Sequence, residues 1–414
     1  MDAKRPSIAV VGSGPSGCYA AQFLRKKWPT AEIVIFEALP VPYGLVRYGV
    51  APDHQGNKSV SQQFDRLFER EDVRFVGNVT VGTDISFEDL RGAFDVVILA
   101  TGLASDRRLE IDGDLELCPI IGAGSLLKAL NGHPLFDCPK DSSGSPRQLG
   151  SRVAVVGNGN VAMDAIRLLA KRDEHFDGSD IADARLKHLG TERITHIDVI
   201  GRSPAAAAKF DFSMLKEIVG LPHVRVAATG LGDDQDGQVS MLLSSLAQYS
   251  SGSPHAGEVN IRFHFNARPL DVQHRDGTSF LAMEQRFSSH RVELQVDAIV
   301  SAIGFENPTS TGAEWCGPNV FRVGWLNTGG KGAIAANRRD AKDVVDAIVQ
   351  AVEAGGLSIG SGKSGPSWAE QVGDRAVAFN DWRKIDRWEL ANALKGRCRQ
   401  KILDVSQMID VAAS

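Results

Sequence analysis

Cysteine is scarce in this sequence, and no two cysteines are close enough in the sequence to form a known motif. The five cysteines are Cys18, Cys118, Cys138, Cys316 and Cys398, and no two of them form a CxxC or CxxxxC pattern. An odd and dispersed set argues against a disulfide framework, a structural zinc site and a cysteine-bound iron–sulfur cluster. We therefore expect no metal site and no redox-active disulfide in this chain.

Long hydrophobic runs and an excess of positive charge are missing as well. No apolar run is long enough to cross a bilayer, and no apolar signal region precedes the first predicted strand, so we expect a cytoplasmic protein with no membrane partner. The net charge of −5 offers no basic field to attract nucleic acid. The 414 residues suffice for two or three domains, and 42 glycines suit an α/β protein with many tight turns.

The sequence does contain two glycine-rich loops, each between a short apolar run and a predicted helix. The first loop, GSGPSG at residues 12–17, precedes a helix predicted for residues 18–27. The next predicted strand ends in Glu37, whose carboxylate can accept hydrogen bonds from a ribose diol. In such a loop Gly12 makes the tight turn, Gly14 lets the backbone approach a pyrophosphate, and Gly17 lets helix and strand pack closely.

The second loop, GNGNVA at residues 157–162, has alanine in place of the third glycine. It precedes a helix predicted for residues 163–171, and a later strand at residues 194–201 is followed by Arg202 and Ser203. An arginine at this position accommodates the 2′-phosphate of NADP through a charge-assisted hydrogen bond. The alternative is an ordinary exposed arginine at a strand end.

Two further segments indicate that the first loop binds a flavin. Residues 94–102 and residues 296–304 each form an apolar run that ends in small residues, ATG in the first and AIG in the second. These segments resemble the paired motifs of the two-dinucleotide flavoprotein superfamily that includes glutathione reductase. That resemblance implies an α/β fold with two Rossmann-like, three-layer dinucleotide-binding domains, and the chain would then bring two dinucleotides together.

A longer string resembles one family within that group. PYGLVRYGVAPDH at residues 42–54 is similar to the PxGLVRxGVAPDH segment of the adrenodoxin reductase family of FAD-dependent ferredoxin–NADP(+) reductases. VVGNGNVAMD at residues 155–164 and VGW at residues 323–325 resemble further motifs of that family, as does DWRKID at residues 381–386. The similarity runs nearly from end to end.

The resemblance implies a set of cofactor-binding and catalytic residues. FAD would be held by Gly12, Gly14, Ser16, Gly17, Glu37, Leu45, Val81, Trp325, Gly332, Ala333 and Ile334. The hydride donor, NADPH or NADH, would be held by Asn158, Gly159, Asn160 and Val161, with Arg202 and Ser203 at the 2′ position. His54 and Glu217 would form a catalytic polar pair linked to proton handling and hydride transfer.

The chain departs from the family pattern at two places. The family usually has two consecutive arginines after the second strand and a glutamate further on, whereas this chain has Arg202-Ser203 and Met214. We therefore expect a modest preference for NADPH, with NADH use open. A Gly-Gly pair and Lys331 replace a proline-containing turn near the flavin end, and Lys331 either stabilises reduced flavin or is a solvated loop residue.

These features predict a discontinuous FAD-binding domain, residues 1–107 and 318–414, with an NAD(P)-binding domain, residues 108–317, inserted in it. The expected reaction is hydride transfer from NAD(P)H to FAD, followed by single-electron transfer to a ferredoxin-type [2Fe–2S] carrier that serves an oxygenase, a cytochrome P450 or iron–sulfur assembly. Arg338, Arg339 and Lys342 are candidates for docking an acidic carrier, or form a solvated helix face.

Three alternatives remain open at this stage. An NAD(P)H oxidase or diaphorase, with oxygen or a quinone as acceptor, would share the same first half-reaction. A flavin monooxygenase is less favoured because its FxGxxxHxxx(Y/F) fingerprint is absent. A non-enzymatic FAD-binding regulator is an alternative of a different class.

Overall fold

The computed structural model of the chain describes residues 5–103, 105–113, 115–136, 139–140, 143–144, 147–231, 237–247, 257–286, 291–307, 315–330, 332, 334–360 and 366–414. The chain divides into two compact units. The first comprises Met1–Ser105, Gly178–Asp180 and Phe305–Ser414, and the second comprises Asp106–Asp177 and Ile181–Gly304. The sequence placed the domain boundaries after residues 107 and 317; which dinucleotide each unit binds stays a prediction.

The described residues form strands and helices in alternation. The strands are β1 (Ser7–Val11), β2 (Glu32–Phe36), β3 (Val73–Val76), β4 (Val96–Leu99), β5 (Ser105–Asp106), β6 (Asp112–Gly113), β7 (Ile120–Gly122), β8 (Arg152–Val156), β9 (His196–Ile200), β10 (Val224–Thr229), β11 (Val259–His264), β12 (Ala267–Arg275), β13 (Thr278–Gln285), β14 (Arg291–Val296), β15 (Ala298–Ser301), β16 (Phe305–Glu306) and β17 (Val320–Arg322). The helices are α1 (Pro15–Lys27), α2 (Gly44–Tyr48), α3 (Gln55–Lys58), α4 (Val60–Arg70), α5 (Phe87–Ala93), α6 (Ala123–Leu130), α7 (Asn160–Ala170), α8 (Asp183–Leu189), α9 (Phe212–Val219), α10 (Gln238–Ala247), α11 (Trp325–Thr328), α12 (Ile334–Glu353), α13 (Pro366–Val372), α14 (Phe379–Ala391) and α15 (Val405–Ala413).

The first unit is built on a parallel sheet with strand order β17-β4-β1-β2-β3. Ile8 and Val10 of β1 belong to one buried apolar cluster, and Ala9 and Val11 belong to another. Both faces of the sheet are therefore covered, which explains why this strand is an uninterrupted apolar run rather than an alternating one. The first glycine loop leaves the carboxyl end of β1, between β2 and β4, at a switch point of the strand order.

The second unit repeats this arrangement in a six-stranded parallel sheet of order β10-β11-β9-β8-β15-β7. Its glycine loop leaves the carboxyl end of β8, which lies between β9 and β15. A smaller sheet of order β14-β13-β12-β6 accompanies it, antiparallel except where β6 joins β12. Each unit thus places one glycine loop at the switch point of its own parallel sheet.

Both glycine loops run into their helices earlier than the sequence predicted. Helix α1 begins at Pro15 rather than at residue 18, and α7 begins at Asn160 rather than at residue 163. The reason is that Gly14 and Gly159 act as the N-cap residues, so the last residues of each loop already form the first helical turn. No helix in the described part of the chain is both long and apolar enough to cross a membrane.

Candidate functional site

The first glycine loop starts with a turn that only glycine can make. Gly12 has a φ of +104°, and a β-carbon on it would lie 2.5 Å from the carbonyl oxygen of Ala100. The Gly12 N–H donates to the Phe36 carbonyl at 2.8 Å, and the Ala100 N–H donates to the Val11 carbonyl at 2.8 Å. The turn is therefore held against the ends of β2 and β4 with no room for a side chain.

The second loop forms the same turn, with equivalent backbone contacts. Gly157 has a φ of +125°, and a β-carbon on it would collide with the carbonyl oxygen of Ala302. The Gly157 N–H donates to the Ile200 carbonyl at 2.9 Å, and the Ala302 N–H donates to the Val156 carbonyl at 2.8 Å. The ATG and AIG segments found in the sequence thus have the same function: each supplies the backbone on which a glycine turn closes.

Gly14 and Gly159 are glycines for a different reason. A β-carbon on either one would meet no heavy atom within 4 Å outside its own loop neighbours, so no protein atom occupies that space. Each residue is the N-cap of a helix of more than ten residues, and no side chain caps either helix. Free N–H groups and the positive end of a helix dipole therefore face open space, which fits the pyrophosphate of a dinucleotide.

Glu37 is fixed beside the first loop by Ser13. The N–H and the hydroxyl of Ser13 both donate to Oε2 of Glu37, at 3.0 and 2.6 Å, and the Leu39 N–H donates to Oε1 at 3.2 Å. Glu37 is half-buried, and an ionised carboxylate has further acceptor sites after these three bonds. The carboxylate can thus still accept a hydrogen bond from a ribose hydroxyl.

Ser13 also anchors the segment PYGLVRYGVAPDH. The Tyr43 N–H lies 3.2 Å from both the carbonyl and the hydroxyl oxygens of Ser13. Tyr43 has a φ of +83°, an uncommon conformation for a residue with a side chain, and its hydroxyl donates to Asp65. A β-carbon on Gly44 would lie 3.1 Å from the Gly14 Cα, so this segment passes directly over the first loop. Leu45 follows on α2 and is half-buried.

The flavin-end segment forms a second tight turn in the first unit. The Gly324 N–H donates to Asp340 of α12 at 2.5 Å, and a β-carbon on Gly324 would collide with the Ser16 hydroxyl. The Trp325 indole N–H donates to the Gly332 carbonyl at 3.2 Å. This turn brings Ser16, Trp325 and Gly332 together beside the first loop.

The remaining residues predicted to bind FAD are Ile334, Val81 and Ala333. Ile334 is the first residue of α12. Val81 is only 8% exposed and belongs to the apolar cluster of the first unit, where packing alone is enough to account for it. Ala333 and Lys331 lie outside the described residues.

In the second unit Asn158 has an unsatisfied polar group. Its Nδ2 atom is buried and has no hydrogen-bond partner among the described residues, and it lies against Gly201, where a β-carbon would come within 2.5 Å of it. A buried donor without a partner costs free energy, so its persistence fits a site completed by a ligand. Val161, in the first turn of α7, is half-buried.

Asn160 has an internal partner instead. Its Nδ2 donates to Asp211 Oδ2 at 2.9 Å, and the Asp211 N–H donates to Asn160 Oδ1 at 2.8 Å, so it fastens the segment before α9 to the start of α7. Arg202 is exposed, and the Ser203 carbonyl accepts from the Asn266 N–H at 3.2 Å. An exposed guanidinium and a neighbour held through its backbone therefore follow the end of β9.

The two proposed catalytic residues belong to different units. His54 is the N-cap of α3 in the first unit, and its carbonyl accepts from the N–H groups of Asn57 and Lys58 at 3.0 and 3.3 Å. Glu217 lies on α9 in the second unit, 3.4 Å from the cationic groups of Arg167 and Lys171. The pairing of His54 with Glu217 stays a prediction.

A buried ion cluster that no sequence pattern indicated lies next to the His54 segment. The carboxylate of Asp180 lies 2.7 Å from Lys58 Nζ and 2.8 Å from Lys401 Nζ, and the Asp180 N–H donates to the Pro52 carbonyl at 3.1 Å. Burial opposes ionisation of Asp180, but the two ammonium groups outweigh it and lower the pKa of Asp180 to about 2. Both lysines also donate to the Arg47 carbonyl, at 3.2 and 3.1 Å.

Two of the cysteines, Cys18 and Cys118, are buried structural residues. Cys18 lies on α1 and donates to the Ser13 carbonyl at 3.2 Å, and burial, with Glu37 and Asp65 nearby, raises the pKa of its thiol above the usual range. Burial raises the pKa of Cys118 to about 12. Thiols of this kind are protonated and unreactive at neutral pH. No disulfide joins the cysteines that the structure describes, and no metal-holding group of His, Cys, Asp and Glu occurs among the described residues.

One cavity of the second unit is not part of this site. It measures about 510 Å³ and its lining includes Ser151, Arg193 and Asp297. Ser151 immediately precedes β8, whereas the glycine loop follows that strand. Since ligands of open parallel α/β sheets bind at the carboxyl ends of the strands, this cavity is at the wrong end for a dinucleotide.

Comparisons with known proteins agree with this geometry. The profile of the family described as pyridine nucleotide-disulphide oxidoreductase matches residues 6–211. Cindoxin reductase of Citrobacter braakii is 39% identical, over 98% of this chain and 91% of that protein. NADPH-ferredoxin reductase FprA of Mycobacterium tuberculosis is 30% identical, over 98% of each chain. The solved structure of Mycobacterium tuberculosis FprA in complex with NADPH superposes with a TM-score of 0.85, covering 99% of this chain and 100% of that one at 29% identity.

Proposed function

The chain belongs to the adrenodoxin reductase-like family of ferredoxin–NADP(+) reductases, and on that premise we propose that it oxidises NADPH and passes the electrons to a ferredoxin-type carrier. The family resemblance, the two-Rossmann α/β fold and the oxidoreductase activity predicted from the sequence are confirmed. The protein is thus a flavoprotein enzyme rather than a non-enzymatic FAD-binding regulator.

One observation supports this function above the others: the chain forms the same dinucleotide-binding loop twice. We call residues 12–17 the first cradle and residues 157–162 the second cradle. Gly12 closes on Ala100 and Gly157 closes on Ala302, and the open space beside Gly14 recurs beside Gly159. When bound, FAD supplies the chemistry that accepts a hydride from a nicotinamide and releases electrons one at a time. Two equivalent cradles are what such a pair of dinucleotides requires.

We propose that the first cradle holds FAD and the second holds NADPH. An acidic residue after the second strand of a Rossmann unit binds an unphosphorylated ribose, and Glu37 is already oriented for it by Ser13. An arginine at the equivalent place favours a 2′-phosphate, and Arg202 occupies that place in the second unit. Ser16, Trp325 and Gly332 would line the flavin side of the first cradle.

His54 and Glu217 are proposed to manage the proton balance of the reaction. The backbone bonds to the His54 carbonyl fix its segment, so the imidazole is carried on an ordered turn. The cationic groups of Arg167 and Lys171 each lie 3.4 Å from the Glu217 carboxylate and hold it in place on α9. An imidazole on an ordered turn and a carboxylate held by two cations are side chains of the kinds that handle protons in enzymes.

The proposed carrier is a [2Fe–2S] ferredoxin. The four described cysteines are free thiols, and Cys18 and Cys118 are buried with raised pKa values, which does not suit a redox dithiol. This supports electron release to an external acceptor. An oxygenase, a cytochrome P450 or an iron–sulfur assembly system would be the downstream user.

Two measurements test this function. Anaerobic NADPH should bleach the flavin absorbance of the purified enzyme, and a [2Fe–2S] ferredoxin should stimulate NADPH-dependent reduction of cytochrome c. Bleaching without stimulation by any ferredoxin would favour an oxidase or diaphorase with oxygen or a quinone as acceptor. A flavin that stays oxidised with both NADPH and NADH would overturn the reductase assignment.

A further inference from the structure

The segment from Arg383 to Lys401 stands out from the rest of the first unit in charge. It contains seven basic and two acidic residues, a net charge of +5, whereas the whole chain carries −5. Arg399 and Lys401 are committed to internal ion pairs, with Asp386 and Asp180 respectively. Arg387 and Lys395 are exposed and have no ion pair with any residue that the structure describes.

Exposed apolar side chains lie in the same segment. Leu390 near the end of α14 and Leu394 just after it are each 47% exposed. Among the described residues of the first unit, the other large hydrophobic side chain with comparable exposure is Ile409, on α15. Two exposed leucines between two unpaired cations have the composition of a protein interface, with an apolar centre and a charged rim.

A cavity of about 520 Å³ connects this surface with the flavin-side segment. Leu390, Arg383 and Arg399 line this cavity, and so do Tyr43, Val46 and Gln55. The latter three belong to or adjoin the string that passes over the first glycine loop and ends at His54. Leu390 of the exposed surface and residues of the segment over the first glycine loop therefore line the same cavity.

Trp382 also lines this cavity. It is 3% exposed, its indole N–H has no hydrogen-bond partner among the described residues, and its ring is 6.3 Å from that of Tyr43. The guanidinium of Arg47 lies over the same ring at 4.9 Å. A buried donor without a partner at the wall of a cavity indicates a place where a group from outside completes the bonding.

We propose that Arg387, Leu390, Leu394 and Lys395 form the docking surface for the acidic [2Fe–2S] ferredoxin. This proposal rests on the proposed function and adds the location of the partner. The unpaired cations complement the charge of an acidic carrier, and the leucines supply apolar contact at the centre. Docking here places the carrier next to Leu390, which lines the same cavity as Tyr43 and Val46 of the segment over the first glycine loop.

The test compares charge reversal inside and outside this surface. In the Arg387→Glu/Lys395→Glu enzyme we expect the Kd for an oxidised plant-type [2Fe–2S] ferredoxin, measured by titration calorimetry without turnover, to rise about tenfold or more and to depend less on salt. The matched control, Lys26→Glu/Arg70→Glu, reverses two exposed cations elsewhere in the same unit and should leave the Kd within about twofold of the original. A Leu390→Ser/Leu394→Ser enzyme should weaken binding with no change in salt dependence.

The outcomes separate the docking surface from the function itself. NADPH-dependent ferricyanide reduction should be the same in all variants, because none of the four residues lies in the dinucleotide cradles. If the original enzyme is stimulated by ferredoxin but the charge-reversed variant binds it equally well, the surface is elsewhere and the function stands. If only flavodoxin binding, tested in parallel, is lost, the assignment to an iron–sulfur carrier is overturned. If no ferredoxin binds or stimulates the original enzyme, the proposed function fails first.

Discussion

The carbonyl oxygen of Ala100 occupies the place that a side chain on Gly12 would need, with a β-carbon there only 2.5 Å away. Gly14, two residues on, has nothing within 4 Å of its hypothetical β-carbon. The two glycines are thus required for different reasons: one by the protein backbone, the other by space that a cofactor would fill. Alanine substitutions can distinguish these reasons.

Gly14→Ala should fold normally and bind FAD poorly. The added methyl group enters space that no protein atom uses, so the thermal midpoint of the FAD-free protein should be unchanged. Overpacking against a pyrophosphate costs about 1–3 kcal/mol, which raises the Kd for FAD by roughly fivefold to a hundredfold. Gly12→Ala is the contrasting variant, since a positive φ and a backbone collision should lower the thermal midpoint even without FAD. Equal FAD affinity in Gly14→Ala and the original enzyme would show that no cofactor approaches Gly14.

Gly159→Ala should affect the nicotinamide and leave the flavin untouched. The same open space lies beside Gly159, at the start of α7 in the second unit. We expect the KM for NADPH to rise about tenfold by the same steric argument, with FAD content per protein unchanged. The readouts are steady-state kinetics and the flavin-to-protein absorbance ratio. Loss of FAD in this variant, with an unchanged KM for NADPH, would reverse the assignment of the two cradles.

Ser203→Arg should increase the preference for NADPH over NADH. Arg202 is exposed and alone at the expected 2′ position, and a second guanidinium adds a charge-assisted bond to the 2′-phosphate that NADH cannot form. A bond of this type contributes about 1.5–3 kcal/mol, so the ratio of kcat/KM values should shift roughly tenfold to a hundredfold. Ser203→Gln, long but uncharged, is the control. An unchanged ratio in the arginine variant would mean that these residues are not at the 2′ position.

Asp180 should make a pH-dependent contribution to the stability of the first unit. Its pKa in the folded protein is about 2, below the ordinary value of 3.8, because Lys401 and Lys58 together outweigh the opposing effect of burial. A carboxyl group with a depressed folded pKa stabilises the fold above its unfolded pKa, and the contribution is lost as pH falls from about 3.8 towards about 2. The size is on the order of 2 kcal/mol.

The comparison variant for Asp180 is Asp180→Asn in the FAD-loaded enzyme. At pH 6 its thermal midpoint should be well below that of the original enzyme, since two buried ammonium groups lose their counter-charge. The difference between the two enzymes should shrink as the pH is lowered through the same window, because protonation removes the charge from the original carboxyl. A difference in midpoints that stays constant from pH 6 to pH 2.5 would contradict the ion cluster.

Much of the candidate site could be anticipated from short stretches of sequence. A buried strand, a glycine turn and a helix are consecutive in the chain. Residues 8–27 and 152–170 are therefore enough to predict the two cradles from local sequence. The helix starts were misplaced because loop residues and first-turn residues share one composition, and only the N-cap geometry at Gly14 and Gly159 separates them. The site roles assigned by resemblance, including those of His54 and Glu217, stay predictions.

Other residues of the site carried no local signal. Ser13 is an unremarkable residue within GSGPSG, yet it fixes both Glu37 and Tyr43. Asp340, within the charged stretch of α12, accepts a hydrogen bond from the Gly324 N–H and so holds the turn at Gly324. The residues that Ser13 and Asp340 bond to are not at a fixed spacing from them in the sequence. No sequence motif therefore predicts these bonds.

The sequence by itself determined that this chain has two dinucleotide cradles and to which family it belongs, because strand, glycine turn and helix are encoded in contiguous residues. Only the tertiary structure decided that Gly178–Asp180 belongs to the first unit, where Asp180 meets Lys58 and Lys401. It also decided that Leu390 and Lys395 remain on the surface. Burial and ion pairing are properties of residues brought together from distant positions, and a linear pattern contains no information about which ones will meet.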